Sequence, residues 1–257
     1  QEQVLVEGIN LGWITIVMNA TSVSTNSAAL TTPFHGYTPL FGVAQGGYLP
    51  IINALFVFNA ANSGSSKHGI MATGGGSGVT VLPGSGVIFA GGQGLYVSVG
   101  AHAQVSGGQF KNSASSGINA NHGAVVLADN VDVSSSGVGI YASGGSKVTA
   151  IGSIANYPIV SGYSADKGST IIARGGSAID APICVDVKDG STVDVSNGTL
   201  TGASNIAIQA FDGSTIIADG ADGTGCRGPI NILLRDSVGY FSGYTGSLTS
   251  GAVGVYL

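Results

Sequence analysis

The chain has 257 residues, of which 44 are glycine, 44% are hydrophobic and only 8% are charged, with a net charge of -5. So many hydrophobic residues with so few charges exclude intrinsic disorder, and the glycines lack the every-third-residue spacing of collagen. No cluster of lysine or arginine offers a surface for nucleic acid, and no run approaches the roughly 18 apolar residues of a membrane-spanning helix. We therefore expect neither a nucleic-acid partner nor membrane insertion.

Residues 1–54 do not follow the periodicity of the rest of the chain. We predict that they form an N-terminal entry or capping segment, because the end of a strand stack exposes unpaired backbone groups that need covering. The start at Gln1, with neither a methionine nor a leader peptide, is interpreted as that of a fragment or a processed chain.

Residues 55–257 repeat every 22 or 23 residues. Equivalent glycines mark the repeat: Gly78, Gly100, Gly123, Gly145, Gly168, Gly190 and Gly213. The third and fifth residues after each glycine are nearly always apolar, which is the period-two pattern of a strand with one buried face. A second strand and a weaker third one follow in each repeat, as at Ile118 and Leu200. Three strands and three turns per repeat predict an all-β parallel solenoid, which we expect to continue beyond its last strand at residues 254–257.

The outward positions of the first strand predict contact between chains. A large aliphatic residue recurs four positions after the repeat glycine in every second coil: Leu82, Leu127, Ile172 and Ile217. An exposed aliphatic stripe on a rod with few charges favours association with further copies of the chain. The alternative is that a turn or the N-terminal segment of the same chain covers this stripe.

The second strand carries the predicted ligand-binding residues, Tyr96, Asn119 and Tyr141. The two tyrosines share an outward column two coils apart, with Asn119 between them. A tyrosine ring stacks on the apolar face of a sugar, and its hydroxyl forms hydrogen bonds. The ordinary preference of tyrosine for strands explains the same pattern equally well.

Asp166 and Asp186 are the catalytic candidates. Our alignment places them in one outward column of adjacent coils, so that their carboxylates would lie roughly 5 Å apart, as in a retaining glycosidase. Asp189, Asp212 and Asp236 also stack, but each precedes the residue that opens a coil, which is ordinary turn chemistry. No metal-ligand spacing and no cofactor motif is present, so we expect neither. Cys184 and Cys226 are predicted to be buried thiols.

The coil sequences resemble a known group of proteins. Phrases such as residues 139–148 (GIYASGGSKV) and 212–218 (DGSTIIA) are similar to the right-handed parallel β-helix shafts of bacteriophage tail fibres and tailspikes. The resemblance covers residues 55–257 and is a pattern of coils without a signature motif. It implies a homotrimeric shaft in the virion tail, outside the cell, which joins other tail proteins and recognises a bacterial surface polysaccharide. Some members of the group also cleave the polysaccharide.

The regular coil spacing after Gly78 leaves no room for the large loops that would build a catalytic groove. We therefore expect host attachment without catalysis. One alternative is a polysaccharide depolymerase, either a glycosidase or a lyase, whose site includes Asp166 and Asp186. A second alternative is a secreted adhesin-type solenoid, which would be a monomer with its stripe of Leu127 and Ile172 covered within the chain.

Overall fold

The computed structural model describes residues 3–17, 22–26, 30–58 and 64–246. Within these ranges the chain forms β-strands and no helix, so the described part holds no helix long and apolar enough to cross a membrane. The strand predicted at residues 254–257 lies outside the described residues. The predicted fold class, an all-β parallel β-helix, is confirmed.

The first three coils contain three strands each. In chain order these are β1 (Val4–Glu7), β2 (Thr15–Val17), β3 (Val23–Thr25), β4 (Phe41–Ala44), β5 (Ile51–Asn53), β6 (Leu55–Phe58), β7 (Ile70–Thr73), β8 (Gly78–Thr80) and β9 (Gly86–Ile88). Each later coil contains two strands. These are β10 (Leu95–Ser98), β11 (His102–Gln104), β12 (Ser116–Asn121), β13 (Val125–Leu127), β14 (Val138–Ala142), β15 (Lys147–Thr149), β16 (Ser161–Ala165), β17 (Thr170–Ile172), β18 (Ile183–Val187), β19 (Thr192–Asp194), β20 (Ile206–Phe211), β21 (Thr215–Ile217), β22 (Ile230–Arg235) and β23 (Val238–Tyr240).

The strands stack into parallel sheets along the solenoid. One sheet has ten strands in the order β1-β4-β7-β10-β12-β14-β16-β18-β20-β22, and the other has eight in the order β8-β11-β13-β15-β17-β19-β21-β23. The third side starts as β3-β6-β9 and continues as single parallel bridges, from Gly86–Gln109 to Asp222–Thr245. The predicted third strand is therefore reduced to one bridge per coil.

The inward columns form the core. In the ten-stranded sheet, Ile118, Ile140 and Val185 are fully buried, and Val148 and Ile171 are their counterparts in the eight-stranded sheet. Burying one such side chain stabilises the fold by about 1.5 to 3 kcal/mol. A single coil cannot bury these side chains by itself, so the core forms only when neighbouring coils stack. The paired positions Leu95, Ile118, Ile140, Tyr163, Val185 and Ile208 follow one another at 22 or 23 residues, as predicted.

The turn before each repeat glycine explains the stacked aspartates. Asp189 and Asp212 have φ values of 53° and 57°, and Gly190 and Gly213 follow at 69° and 76°. Aspartate tolerates this left-handed region better than most residues, and glycine adopts it without steric cost. Asp189, Asp212 and Asp236 are turn residues, which confirms the structural interpretation of their spacing.

Residues 4–53 contribute two coils of the solenoid, although the sequence indicated that residues 1–54 lie outside its register. β1 pairs with β4 and β4 with β7 in the ten-stranded sheet. The repeat is hidden because Phe41 follows its partner Val4 by 37 positions and Ile70 follows Phe41 by 29 positions, instead of 22 or 23. Leu55 accordingly lies in β6, on the third side, and does not open a coil. That the segment caps the solenoid stays a prediction.

The predicted alignment of the first repeat is also wrong by two residues. Gly78 pairs with His102, two positions after Gly100. Because two residues are one full strand period, the inward positions Val79 and Val81 stay buried. The shift nevertheless changes which outward side chains are neighbours.

Candidate functional site

Two columns of side chains point outward from the ten-stranded sheet, and we call this surface the tyrosine face. The first column is Met71, Tyr96, Asn119, Tyr141, Ser164, Asp186 and Gln209. The second, two residues further along each strand, is Thr73, Ser98, Asn121, Ser143, Asp166, Lys188 and Phe211. Tyr96, Asn119 and Tyr141 are consecutive neighbours, as the sequence predicted.

The two catalytic candidates reach this face, but they are not opposite each other. Asp186 pairs with Ser164, while Asp166 lies one strand period further, level with Lys188. The predicted alignment assumed a step of 20 residues at this point, whereas the coil from Ser164 to Asp186 has 22.

Asp166 is held by Tyr141. The Tyr141 hydroxyl donates a hydrogen bond of 2.7 Å to Oδ2 of Asp166. Burial raises the pKa of Tyr141, and the hydrogen bond to Asp166 and the negative charge of Asp186 raise it further. The phenol is therefore protonated at neutral pH and fixed as the donor to Asp166.

Asp186 is fully engaged by its neighbours. Nζ of Lys188 lies 2.7 Å from Oδ2 of Asp186, and Nε2 of Gln209 donates to Oδ1, also at 2.7 Å. Asp186 is 8% exposed. Both oxygens of this nearly buried carboxylate therefore have a partner on the tyrosine face.

Two acceptor atoms of the face have no partner within the described residues. They are Oδ1 of Asn119 and Oδ1 of Asp166, and both are buried. Asn119 as a whole is only 8% exposed, between Tyr96 and Tyr141 in the neighbouring coils. Buried polar atoms nearly always have a hydrogen-bond partner, so these two unpaired acceptors are exceptions within the described residues.

Residues 30–40 close one end of the tyrosine face. Phe34 packs with Met71, and Tyr37 lies against the rings of His68 and Tyr96, at centroid distances of 4.5 and 5.5 Å. Within this segment the backbone N–H of Leu40 donates to the carbonyl of His68. His68 is therefore buried beneath this segment.

His68 is neutral in this arrangement. It is 1% exposed, and burial lowers its pKa to about 4. Its Nδ1 accepts a hydrogen bond of 3.0 Å from the backbone N–H of Gln93, so the ring proton is on Nε2.

The eight-stranded sheet presents a different outward surface, which we call the aliphatic face. Its columns are Thr80, Gln104, Leu127, Thr149, Ile172, Asp194, Ile217 and Tyr240, and His102, Val125, Lys147, Thr170, Thr192, Thr215 and Val238. Leu127 is 41% exposed, and the every-second-coil recurrence holds for Leu127, Ile172 and Ile217. Leu82 does not belong to the column, because the two-residue shift puts Thr80 there instead.

One carboxylate interrupts the aliphatic face. Asp194 is 3% exposed between Ile172 and Ile217, with Nε of Arg174 2.6 Å from its Oδ2. Burial acts to raise its pKa, but the hydrogen bonds from Ser196 and the Arg174 guanidinium outweigh this and lower it. The Asp194 carboxylate is therefore ionised at neutral pH, and the Arg174 guanidinium balances its charge.

The remaining chemistry-bearing groups offer no further centre in the described ranges. No cluster of three or more His, Cys, Asp or Glu side chains there could hold a metal ion. Cys184 and Cys226 are free and buried, as predicted, and burial raises the pKa of Cys184 to about 12. A thiol with so high a pKa is not a nucleophile at neutral pH.

Comparisons with known proteins leave the family open. No protein-family model matches the chain, and its sequence matches no curated protein. Among solved structures, it is similar to the catalytic unit of the thermostable GH87 α-1,3-glucanase from Streptomyces thermodiastaticus strain HF3-3, with 10% sequence identity and a TM-score of 0.35. That match covers 92% of this chain and 62% of the glucanase chain, so this chain spans less than two thirds of its length. So distant a likeness carries no conclusion about activity.

Proposed function

We propose that the chain binds a bacterial surface polysaccharide on its tyrosine face, as the host-attachment shaft of a bacteriophage tail fibre or tailspike. The observation that carries the binding function is the partly exposed ring of Tyr141, which lies between the polar side chains of Asn119 and Ser164 in the first column of this face. The resemblance of the coil sequences to phage shafts supports the setting in a virion tail, alongside other tail proteins.

The chemistry of the tyrosine face suits a sugar. A pyranose offers an apolar ring face to Tyr141 and hydroxyls that can donate hydrogen bonds to, and accept them from, the polar side chains of this face. Ser164 and Gln209 extend the same column with further hydrogen-bonding groups. Polar groups already ordered by the solenoid bind at a smaller entropic cost than groups on flexible loops.

The aliphatic face supports the proposed homotrimer. Leu127, Val125 and Val238 are each more than 40% exposed on a flat, regular sheet surface. Contact with two further copies of the chain would remove this apolar surface from water.

Binding to a panel of purified capsular and O-antigen polysaccharides tests the proposal. We expect the wild-type chain to bind at least one member, and Tyr141→Ala to weaken that binding tenfold or more. Tyr240→Ala is the matched control, because Tyr240 is an exposed tyrosine on the aliphatic face. If Tyr141→Ala binds as tightly as the wild type, the assignment to the tyrosine face is wrong.

Cleavage by a depolymerase is the second candidate, and the observation in its favour is the Asp166 carboxylate, which lies beside Tyr141 on this face. The engagement of Asp186 by Lys188 and Gln209 favours binding without cleavage, since a two-carboxylate mechanism needs both groups. Shortening of the bound polysaccharide by the wild type, and its loss in Asp166→Asn, would establish the depolymerase. Unchanged polymer length supports binding alone.

A further inference from the structure

We infer that residues 30–40 form a cover on the tyrosine face that opens when His68 takes up a proton, while the solenoid beneath it stays folded. Opening uncovers Met71 and Tyr96, which lie in the same outward column as Tyr141. This change does not depend on what the tyrosine face binds, so it goes beyond the proposed function. It makes the exposed length of the face depend on pH.

The cover lies on the outward column of the first coils. In register, this column consists of Leu5, Gly42, Met71 and Tyr96. A Cβ at Gly42 would lie 2.8 Å from Cδ1 of Phe34, so the glycine leaves room for the ring of Phe34 on the sheet. Met71 packs with Phe34 and is only 1% exposed, although it belongs to an outward column. The cover therefore keeps an apolar part of the face from water.

The middle of the cover is held to the solenoid mainly by side chains. Phe34 and Tyr37 exchange backbone hydrogen bonds with each other and so form a turn of their own. At Thr38 the backbone reaches the solenoid, where its N–H donates to the carbonyl of Ser66 at 3.0 Å. A segment held in this way opens at a lower free energy than strands that are paired along their whole length.

His68 connects the cover to the sheet and is the group that responds to pH. Its ring lies between the rings of Tyr37 and Tyr96, at centroid distances of 4.5 and 5.4 Å. Its Nδ1 accepts the N–H of Gln93, and its buried Nε2 has no partner among the described residues. A proton added to Nδ1 would face the Gln93 N–H, and the charged ring would lie out of water without an acceptor. Protonation therefore favours the open cover, in which water reaches both ring nitrogens.

The groups around His68 do not balance a positive charge. Tyr37 on the cover and Tyr96 on β10 are phenols, which are uncharged in acid, and Lys67 in the adjoining segment is itself a cation. Burial lowers the pKa of His68 to about 4. Because this folded-state pKa lies below the ordinary value of 6.5, the closed cover is lost as the pH falls from 6.5 towards 4.

A second histidine contacts the solenoid from the cover. Nε2 of His35 lies 3.1 Å from Oε1 of Glu7, and both side chains are exposed. Protonation of His35 strengthens this pair and therefore acts against opening, but an exposed ion pair contributes little. The two histidines thus have opposite expected effects, which makes them separable by mutation.

Hydrogen exchange at the Thr38 and Leu40 amides, expressed as a protection factor at each pH, measures the opening. Protection should fall about 20-fold between pH 7 and pH 5, because His68 has its ordinary pKa in the open state. At both pH values it should be at least tenfold lower than at Ile140 and Ile171. Equal protection at all four amides would show that the cover does not open separately and would overturn the inference.

Three variants assign the response to its group. His68→Phe keeps a ring between the two tyrosines but cannot take up a proton, so protection should be the same at pH 7 and pH 5. His68→Gln retains an acceptor for the Gln93 N–H and should give the same result even if the phenylalanine packs poorly. His35→Asn is the control, because asparagine tolerates its φ of 47°, and it should keep the 20-fold fall of about the wild-type size.

Oxidation of Met71 by peroxide is an independent measure, since an accessible thioether is converted to the sulfoxide. Peptide mass spectrometry should find this oxidation about 20-fold faster at pH 5 than at pH 7, with an unchanged far-UV circular dichroism spectrum. A wild type without this response, or a response that persists in both His68 variants, would overturn the inference. Loss of the response in His35→Asn alone would assign it to the pair with Glu7 and overturn it as well.

Discussion

The tyrosine face and the aliphatic face are built on the same coils and share one core, but their outward side chains differ. The tyrosine face carries amides, hydroxyls and paired charges, and several of these polar side chains are nearly buried: Ser98, Asn119, Ser143, Asp186 and Gln209. The aliphatic face carries Leu127, Val125 and Val238, which are largely exposed. One surface thus holds polar groups in fixed positions, and the other presents apolar groups to water.

This difference shows how a repetitive fold separates two tasks. The inward columns repeat because every coil must pack against the next, and they leave the outward columns free to vary. A polar surface with ordered side chains suits a small polar ligand, and exposed aliphatic side chains on a regular sheet suit another protein surface. The contrast supports the proposed binding of a glycan on the tyrosine face and the proposed association of chains through the aliphatic face.

The largest effect is expected from substitutions that disrupt the aliphatic face alone. Leu127→Asp with Ile172→Asp should reduce the native mass from three chains to one, because a carboxylate in an apolar interface loses its water without gaining a partner. Light scattering measures the mass, and calorimetry should find glycan binding per chain unchanged. Ile154→Asp is the control, an aliphatic residue of similar exposure on the third side. A wild-type mass of one chain contradicts the assignment of this face.

Acid should loosen the covered end of the tyrosine face first. His68 is neutral in the folded chain with its pKa lowered to about 4, so the unfolded chain binds the extra proton as the pH falls. Stability present above pH 6.5 is lost between pH 6.5 and 4, by about 3 kcal/mol for a shift of this size. Asp194, on the aliphatic face, loses its contribution only below its ordinary pKa, because its folded pKa is lowered.

Urea unfolding at pH 7, 5 and 4, with hydrogen exchange of residues 34–40, measures this difference. His68→Phe should remove most of the loss between pH 6.5 and 4, because phenylalanine has no proton to gain. An unchanged pH dependence in His68→Phe would assign the loss to other groups.

Only part of the fold could be predicted from the sequence. The core columns were predictable because Ile118, Ile140 and their equivalents recur at near-constant spacing. The first two coils were not, because Phe41 follows its partner Val4 by 37 positions instead of 22 or 23, and the extra residues hide the period. The role of residues 30–40 as a cover has no periodic signal at all, since it depends on tertiary contacts of Phe34 and Tyr37.

The candidate site was predicted in part, and the errors have one physical origin. Tyr96, Asn119 and Tyr141 were placed correctly because each follows directly on an aliphatic core residue. Asp166 and Asp186 were wrongly placed opposite each other. Turns of unequal length shift the pairing of neighbouring strands by two residues, and such a shift leaves each side chain on the same face of the sheet. The pairing of Asp186 with Lys188 and Gln209 follows from that corrected register and could not be read from spacing alone.

Two matched variants, each of which removes the cation of one ion pair, also compare the two faces. Their expected effects on stability are smaller. Lys188→Met and Arg174→Met each leave a nearly buried carboxylate, Asp186 or Asp194, without its cation. Both cations are about half exposed, so we expect losses of only about 1 to 2 kcal/mol in urea unfolding. Only Lys188→Met should also change glycan binding. An effect of Arg174→Met on binding would show that the two faces are coupled.

The smallest effects are expected from two tyrosine substitutions, one in the core and one on the surface. Tyr163 points inward, where its hydroxyl lies 3.0 Å from Oγ of Ser153, and Tyr141 points outward in the preceding coil. Tyr163→Phe should cost about 1 kcal/mol of stability through the lost buried hydrogen bonds, with glycan binding unchanged. Tyr141→Phe should weaken binding with little loss of stability. The reverse pattern would place the ligand elsewhere.

The central claim is that the tyrosine face holds a glycan, and a crystal structure with an oligosaccharide of the bound polysaccharide tests it most directly. The account predicts a sugar ring on Tyr141, with hydroxyls of the same glycan within hydrogen-bond distance of polar side chains of this face such as Ser164. Sugar density on the aliphatic face, or on the third side around Tyr157, would contradict it.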